Sequence, residues 1–223
     1  RSRGLGDVYK RQTLTHALEI SCNTAFAKLG VGLSERTLAD QASKFGFGSK
    51  PDSDISMATS KFPTKLNDAQ LALSSIGQYD VAASPLQMAM VAAGIANDGV
   101  LMEPYLTKSV RAANLQTVWT HKDTPMSTPM TRESAKQLQQ MMVSVVNNGT
   151  GRNARIDGVT VGGKTGTAQT SPDKPPYAWF VGWSDKPKVA VAVFVESSNT
   201  ERSEIAGGRL GAPIARDVIE ALR

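Results

Sequence analysis

The 223-residue sequence has one cysteine, Cys22, and two histidines, His16 and His121. A single cysteine excludes an intrachain disulfide framework, and two histidines without ligand-like spacing make no zinc or other metal site. No apolar run approaches the length of a membrane span, and no signal-peptide pattern opens the sequence. Acidic residues are the minority charge, which leaves a formal +5 and a pI near 9.4. Residues 1–12 carry +3 of that excess, through Arg1, Arg3, Lys10 and Arg11 against Asp7, so only +2 is spread over the rest. No basic stripe interleaved with aromatics remains, and a nucleic-acid partner is not expected.

Residues 1–12 read poorly as protein. Asp7 to Gln12 resembles the translation of a transposon-end adaptor used in sequencing libraries, which places the start of genuine coding sequence near Thr13. They are set aside from fold reasoning. Residues 13–223 are then long enough for one large domain with its own core.

The stretch that organises this domain is Gly162-Gly163-Lys164-Thr165-Gly166-Thr167-Ala168. Val159-Thr160-Val161 leads into it after an Asp157-Gly158 turn, and the proline-bearing segment from Gln169 to Pro176 prevents a helix from following. The pattern predicts a strand that becomes glycine-rich where something approaches its backbone. One cation and two hydroxyls on such a strand suit an anionic ligand lying alongside as an extra strand. Gly158 to Thr165 also fits the phosphate-loop pattern letter for letter. That reading fails on context, because the strand would lie inside the loop and no helix opens at Lys164-Thr165. Lys-Thr-Gly is instead one element of the serine acyl-transferases that bind penicillin, and it gains force only beside its companion motifs.

Upstream, helical periodicity runs from Thr13 to Gly32 around an interruption at Ser21-Cys22-Asn23. Ser and Asn there can serve as a helix N-cap or present both side chains to a site. Ser34 opens a helix through Phe45; Asn67 to Ile76 is a short one. Ser84-Pro85 pairs a cap with proline at the first helical position and opens a helix through Ala96. Met88, Met90 and Val91 read as core. Val100 to Leu106 is extended, and a hairpin is expected around Ala112–Asn114 with Val110 opposite Val118-Trp119. Thr131 caps a helix to Val146. After the Lys-Thr-Gly strand, Ala178 to Trp183 and Lys188 to Glu196 form two more strands about a Ser184–Pro187 turn. The run Val189 to Val195 is continuously apolar, as in a strand covered on both faces. Ala212 to Leu222 is an amphipathic helix. The class is α+β: helices, a three-strand antiparallel meander, then a final helix.

Ser21-Cys22-Asn23 and Lys164-Thr165-Gly166 stand in the order and wide separation of penicillin-binding transpeptidases. The text between them resembles that family too: Gly77-Gln78, Ser84-Pro85-Leu86-Gln87-Met88-Ala89, Ile95-Ala96-Asn97-Asp98-Gly99 and Trp179-Phe180-Val181-Gly182. From about Thr13 onward the chain is most similar to the class B, monofunctional type. Two departures stand out. Tyr79 takes a place where many members have a further glycine, and no Ser-x-x-Lys nucleophile motif precedes Ser21.

The resemblance implies the α/β sandwich shared with β-lactamases, lacking here its first strands and nucleophile helix. It implies acyl transfer through a serine ester on stem peptides of peptidoglycan ending in D-Ala-D-Ala, with β-lactams as competing ligands and no cofactor. Ser21 would relay a proton between the nucleophile motif's lysine and the leaving amine, and Asn23 would hydrogen-bond the substrate amide. Lys164, Thr165 and Gly166 would receive the terminal carboxylate. The Thr167 N–H would supply half of the oxyanion hole, a donor worth about 3–4 kcal/mol. Cys22, with no partnering histidine, is expected in the core rather than in chemistry. A D,D-carboxypeptidase or serine β-lactamase shares these motifs, and a non-catalytic penicillin-site module is the alternative of another class. The Gly77-Gln78 to Gln87 text favours the transpeptidase. Residues 13–223 would be the C-terminal part of the domain, inactive and prone to aggregate alone. It would act at the extracytoplasmic face of a bacterial membrane, with its own N-terminal half and cell-wall synthesis or division complexes as partners.

Overall fold

The structure, a computed structural model, describes residues 13–51, 53–171 and 173–223; the adaptor-like segment 1–12 lies outside them. Four helices come first: α1 (Leu14–Glu19), α2 (Asn23–Leu33), α3 (Glu35–Lys44) and α4 (Asp68–Ser74). After α5 (Pro85–Ala96) come four short strands, β1 (Leu101–Met102), β2 (Ser109–Arg111), β3 (Thr117–Thr120) and β4 (Pro125–Ser127). The long α6 (Arg132–Asn148) leads into the main sheet of β5 (Val161–Ala168), β6 (Tyr177–Asp185) and β7 (Lys188–Val195), and α7 (Ala212–Ala221) closes the fold. Among the described residues, no helix is long and apolar enough to cross a membrane.

Helix starts follow local chemistry. Ser84 accepts from Gln87 N with Pro85 inside the first turn, and Thr131 accepts from Ser134 N. Asn67 and Gln70 form a reciprocal capping box, which satisfies two otherwise orphaned donors. Val110 faces Trp119 in the β2–β3 hairpin, as its sequence predicts. In the β1–β4 pair, β1 falls in the extended segment that the sequence predicts, whereas β4 lies in a stretch too short and too mixed in character to read as strand.

The main sheet is antiparallel in the order β5-β6-β7, and the alternation of side chains gives it two distinct faces. One carries Val161, Phe180 and Val193 against Ala212, Ala215 and Ile219 of α7. The other carries Trp183 against Ile95 of α5 and Met142 of α6. Phe180 is fully buried, a contribution of about 2–3 kcal/mol from its apolar area.

Three sequence expectations need correction here. The glycine-rich strand starts at Val161, so Val159 and Thr160 lie before it. Strand β7 is covered on both faces only in part: α5 and α7 pack on it from opposite sides, yet among its residues only Val193 is buried and Phe194 is 36% exposed, because β7 is an edge of the sheet. Finally, Gly162 and Gly163 are bare because aromatic rings fill their places. A Cβ on Gly163 would sit 2.3 Å from Phe180 Cζ, and one on Gly162 2.5 Å from the Trp183 ring. The Gly162-Gly163 pair serves packing on both faces, and ligand approach is left to the strand's outer edge.

Candidate active site

The site is built where α1 ends beside the outer edge of β5. Cys22 N bonds to Ala17 O at 2.8 Å and closes the end of α1. This forces Ser21 to φ +54°, a left-handed conformation uncommon for a residue with a side chain. The turn is lashed to α6 by Glu19, whose carbonyl accepts from Thr150 N at 3.0 Å and whose carboxylate accepts from Ser144 Oγ and contacts His16 Nδ1. The Ser144 bond, then the one to His16, holds the Glu19 carboxyl below its ordinary range.

So held, Ser21 accepts a hydrogen bond from Lys164 Nζ. The same ammonium donates to Thr165 O at 2.8 Å. Lys164 projects from the sheet face that meets α5 and α6, and its burial, with no carboxylate partner among the described residues, pulls its pKa down to about 8, since desolvation penalises the charged form. Thr165, on the opposite face, has its hydroxyl 2.7 Å from Thr150 Oγ1.

Ser21, Asn23, Lys164, Thr165, Gly166 and Thr167 all line one cavity of about 780 Å³. The residues singled out in the sequence are therefore brought together. Their chemistry is that of an anion receptor: one part-buried cation, hydroxyls from Ser21 and two threonines, and a strand edge with main-chain donors. Asn23 is exposed, in the first turn of α2. The N-cap of that helix is Cys22, which makes no side-chain capping bond. So neither Ser21 nor Asn23 is a cap, and both line the cavity. Cys22 is half-buried, with Sγ 3.4 Å from Thr24 Oγ1; its expected place in the core is not borne out, because the turn that carries it lies at the cavity wall rather than within the core.

Sequence reasoning missed two contributors. Thr150 lies in a run that reads as no more than a helix stop, and its hydroxyl fixes Thr165. Gln78 bonds to Thr167 O (3.0 Å) and accepts from Gln169 N (3.2 Å). It sits between Gly77 and Tyr79, both at positive φ. The Ser-x-x-Lys pattern occurs at Ser171–Lys174, in the loop after β5, and neither Ser171 nor Lys174 lines the cavity.

The family model described as the penicillin binding protein transpeptidase domain matches residues 2–220. A peptidoglycan D,D-transpeptidase PbpA of Mycolicibacterium smegmatis is 39% identical over 94% of this chain and 43% of its own length. The stage V sporulation protein D of Bacillus subtilis is 30% identical over 93% of the chain and 33% of its own length. Among solved structures, that of PBPA from Mycobacterium tuberculosis superposes with a TM-score of 0.86 at 37% identity, covering 95% of this chain and 51% of that one. An imipenem acyl-enzyme complex of penicillin-binding protein A from the same organism matches with a TM-score of 0.85 at 36% identity, over 95% of this chain and 48% of that one. The chain thus spans about half or less of the length of these relatives. With its Lys164–Ser21 pair, its receptor cavity and its α+β scaffold, the chain belongs to the penicillin-binding protein transpeptidase domain family.

Proposed function

We propose that this chain forms the substrate-holding part of a peptidoglycan D,D-transpeptidase working through a serine acyl-enzyme. The observation that carries the reading is Lys164, part-buried and with no carboxylate partner among the described residues, bonded to Ser21 in a cavity shared with Asn23, Thr165 and Thr167. A stem peptide ending in D-Ala-D-Ala places its terminal carboxylate at Lys164, Thr165 and Gly166. Its scissile carbonyl then lies along the edge toward Thr167 N–H, and Asn23 meets the preceding amide. Ser21 passes a proton toward the leaving amine, helped by a Lys164 whose lowered pKa makes it a competent proton donor and acceptor near neutrality. β-Lactams compete because their carboxylate and acyl carbonyl reproduce the same two features.

Among the described residues no Ser-x-x-Lys pair faces the cavity, and on this reading the acylated serine is supplied from outside them. A second cavity of about 590 Å³ shares Lys164, Thr165, Gly166 and Thr167 with the first. It is lined chiefly by apolar side chains such as Met88, Val91, Met142 and Trp179. An apolar opening beside the catalytic cation suits the segment that bears the nucleophile. Residues 13–223 are on this reading the C-terminal part of the domain, acting on cell-wall peptide at the outer face of the bacterial membrane within wall-synthesis or division assemblies.

The test uses the protein with a complete transpeptidase domain and a fluorescent penicillin. Lys164→Ala is expected to slow acylation by at least tenfold relative to Lys108→Ala or Lys136→Ala. A cation facing a desolvated carboxylate is worth about 2 kcal/mol, and a solvated one almost nothing. Equal rates would overturn the assignment. Incubation with a stem peptide and an amine acceptor separates transfer from simple hydrolysis.

A further inference from the structure

The cavity that holds Lys164 has a second wall, over the Thr165 side of β5, and that wall is basic. The turn after α6 supplies Thr150, Arg152 and Asn153, and a turn of π-helix at Gly207–Gly211, which opens α7, supplies Gly208 and Arg209. Thr150 Oγ1 lies 2.7 Å from Thr165 Oγ1, and Asn153 Nδ2 donates to Gly208 O at 2.8 Å, so the two turns and the strand are tied together. Two glycines permit the close fit. A Cβ on Gly207 would fall 2.7 Å from Gly166 O, and one on Gly208 would collide with Thr150 O. Turns of π-helix are rare and gather at functional sites.

The charge on this wall exceeds what one carboxylate needs. Among the described residues, the cavity is lined by Lys164, Arg152 and Arg209 and by no Asp or Glu. Arg209 is paired with Glu204 outside the cavity. Arg152 is exposed, donates through one nitrogen to Asn148 O at 2.7 Å, and has no carboxylate partner among the described residues. That bond to the last residue of α6 leaves most of the guanidinium's five N–H donors for a planar anion. A stem peptide bound as donor brings its terminal carboxylate to Lys164 and extends its body the other way, past Thr167 and Asn23. The basic wall lies beyond the departing D-alanine, where the donor peptide has no atoms left.

We infer that this wall receives the acceptor, an anionic stem peptide whose free amine takes up the acyl group, and that Arg152 is the cation that selects it. The inference rests on the transpeptidase reading and deepens it. The acceptor amine enters where the leaving amine departed, because the same pair, Ser21 and Lys164, handles the proton in both half-reactions. Its nitrogen, neutral on entry, bonds to the acyl carbon as the serine ester C–O bond breaks, and the proton that the nitrogen sheds passes through Ser21 to the serine oxygen. The body of the acceptor then lies over Thr165 and Thr150, and a carboxylate on it meets Arg152. Water needs no such wall, so a basic surface that holds the amine at the ester favours transfer over hydrolysis.

The test uses the protein with a complete domain, an N-acyl-D-alanyl thioester as donor, and two acceptors, D-α-aminopimelate and its ω-amide. Both acceptors keep the amine and α-carboxylate of the departing D-alanine and differ in charge at the far end alone. The readout is the ratio of transfer to hydrolysis, since both routes draw on one acyl-enzyme and slower acylation leaves their ratio unchanged. In the wild type, D-α-aminopimelate is expected to reach half-maximal transfer at about tenfold lower concentration than its ω-amide. Arg152→Gln should erase that preference and Arg152→Lys should restore part of it. If Arg152 served only to cap α6, Arg152→Gln would lower the melting temperature and leave the preference intact. Equal use of the two acceptors by the wild type, a comparison that needs no variant, overturns the acceptor site, and so does a preference that survives in Arg152→Gln. If the acyl-enzyme forms but transfers to neither acceptor, calorimetric titration of the penicillin-acylated protein decides: tighter binding of D-α-aminopimelate supports the site, and equal binding overturns it. A wild-type protein that neither the thioester nor penicillin acylates refutes the transpeptidase reading itself, and the acceptor site falls with it.

Discussion

The Lys164 ammonium donates to Ser21 Oγ and so joins two positions 143 residues apart in the chain. This bond assembles the site, and it is made by a cation whose pKa burial has lowered to about 8. An unfolded lysine titrates near 10.4. Between about pH 8 and 10.4 the unfolded chain holds a proton that the folded chain has released, so stability rises with pH across that window. Below pH 8 both states are charged and the full cost of burial is present. The cost is at most about 3 kcal/mol, less what solvent recovers for a half-buried group. Denaturant unfolding at pH 7.5 and 9.5 should show the wild type gaining on Lys164→Met as pH rises. A parallel course for the two proteins would show that Lys164 is not desolvated. Anion binding has the opposite slope, since the receptor loses its charge as pH passes 8.

Gly149 lies where α6 meets the end of α1. A Cβ there would fall 2.5 Å from Glu19 O and 2.9 Å from Val145 O, both main-chain atoms that cannot rotate aside. Gly149→Ala must push α1 away from α6, breaking the bond from Thr150 N to Glu19 O and moving Ser21 from Lys164. Overpacking of this kind costs about 1–3 kcal/mol. Thermal melting should show a drop of several degrees, with loss of penicillin acylation in the complete domain. An unchanged melting temperature would mean that the α1–α6 contact is slack.

Tyr79 stands at φ +63° where the family favours glycine, and the structure gives the reason: the loop carrying Gln78 needs a left-handed residue there. The tyrosine offsets its strain with the bond from Gln70. Tyr79→Ala keeps the strain and loses the bond, whereas Tyr79→Gly loses both. Tyr79→Gly should therefore be the more stable variant by about 1 kcal/mol, measured by urea denaturation. The reverse order would place Tyr79 outside the left-handed region in solution.

The sequence made legible whatever depends on short-range chemistry. Capping residues Ser84, Asn67 and Thr131 announce their helices, and the meander of β5, β6 and β7 follows from apolar runs about a tight turn. The grouping of Ser21, Asn23 and Lys164 was legible only through resemblance, because no periodicity links segments 143 residues apart. Gly162 and Gly163 were misread for a physical reason. A missing side chain looks the same in sequence whether a ligand or an aromatic ring from the next strand occupies the space. The role of Gln78 was not legible, since a carboxamide that bonds to a distant strand leaves no periodic pattern of its own.

Strand β7 is exposed to association between chains. Among the described residues its outer edge has no strand partner, and Val189 to Val195 contains neither proline nor charge. Phe194 is 36% exposed, and its ring packs on Trp179 at 4.6 Å and Tyr177 at 5.1 Å, which widens the apolar surface. The surface beside it opens into the apolar cavity under the sheet. A flat, apolar, uncharged edge next to an uncovered face is a template for pairing between chains. This chain on its own is therefore expected to self-associate in proportion to its concentration, with Phe194→Lys shifting the balance toward monomer. A charge at an edge disfavours stacking of a second copy, at some cost in ring packing. Size-exclusion chromatography with light scattering over a hundredfold range of concentration measures both. A single monomer peak for the unaltered chain throughout that range would show that the edge is protected, and the prediction would fall.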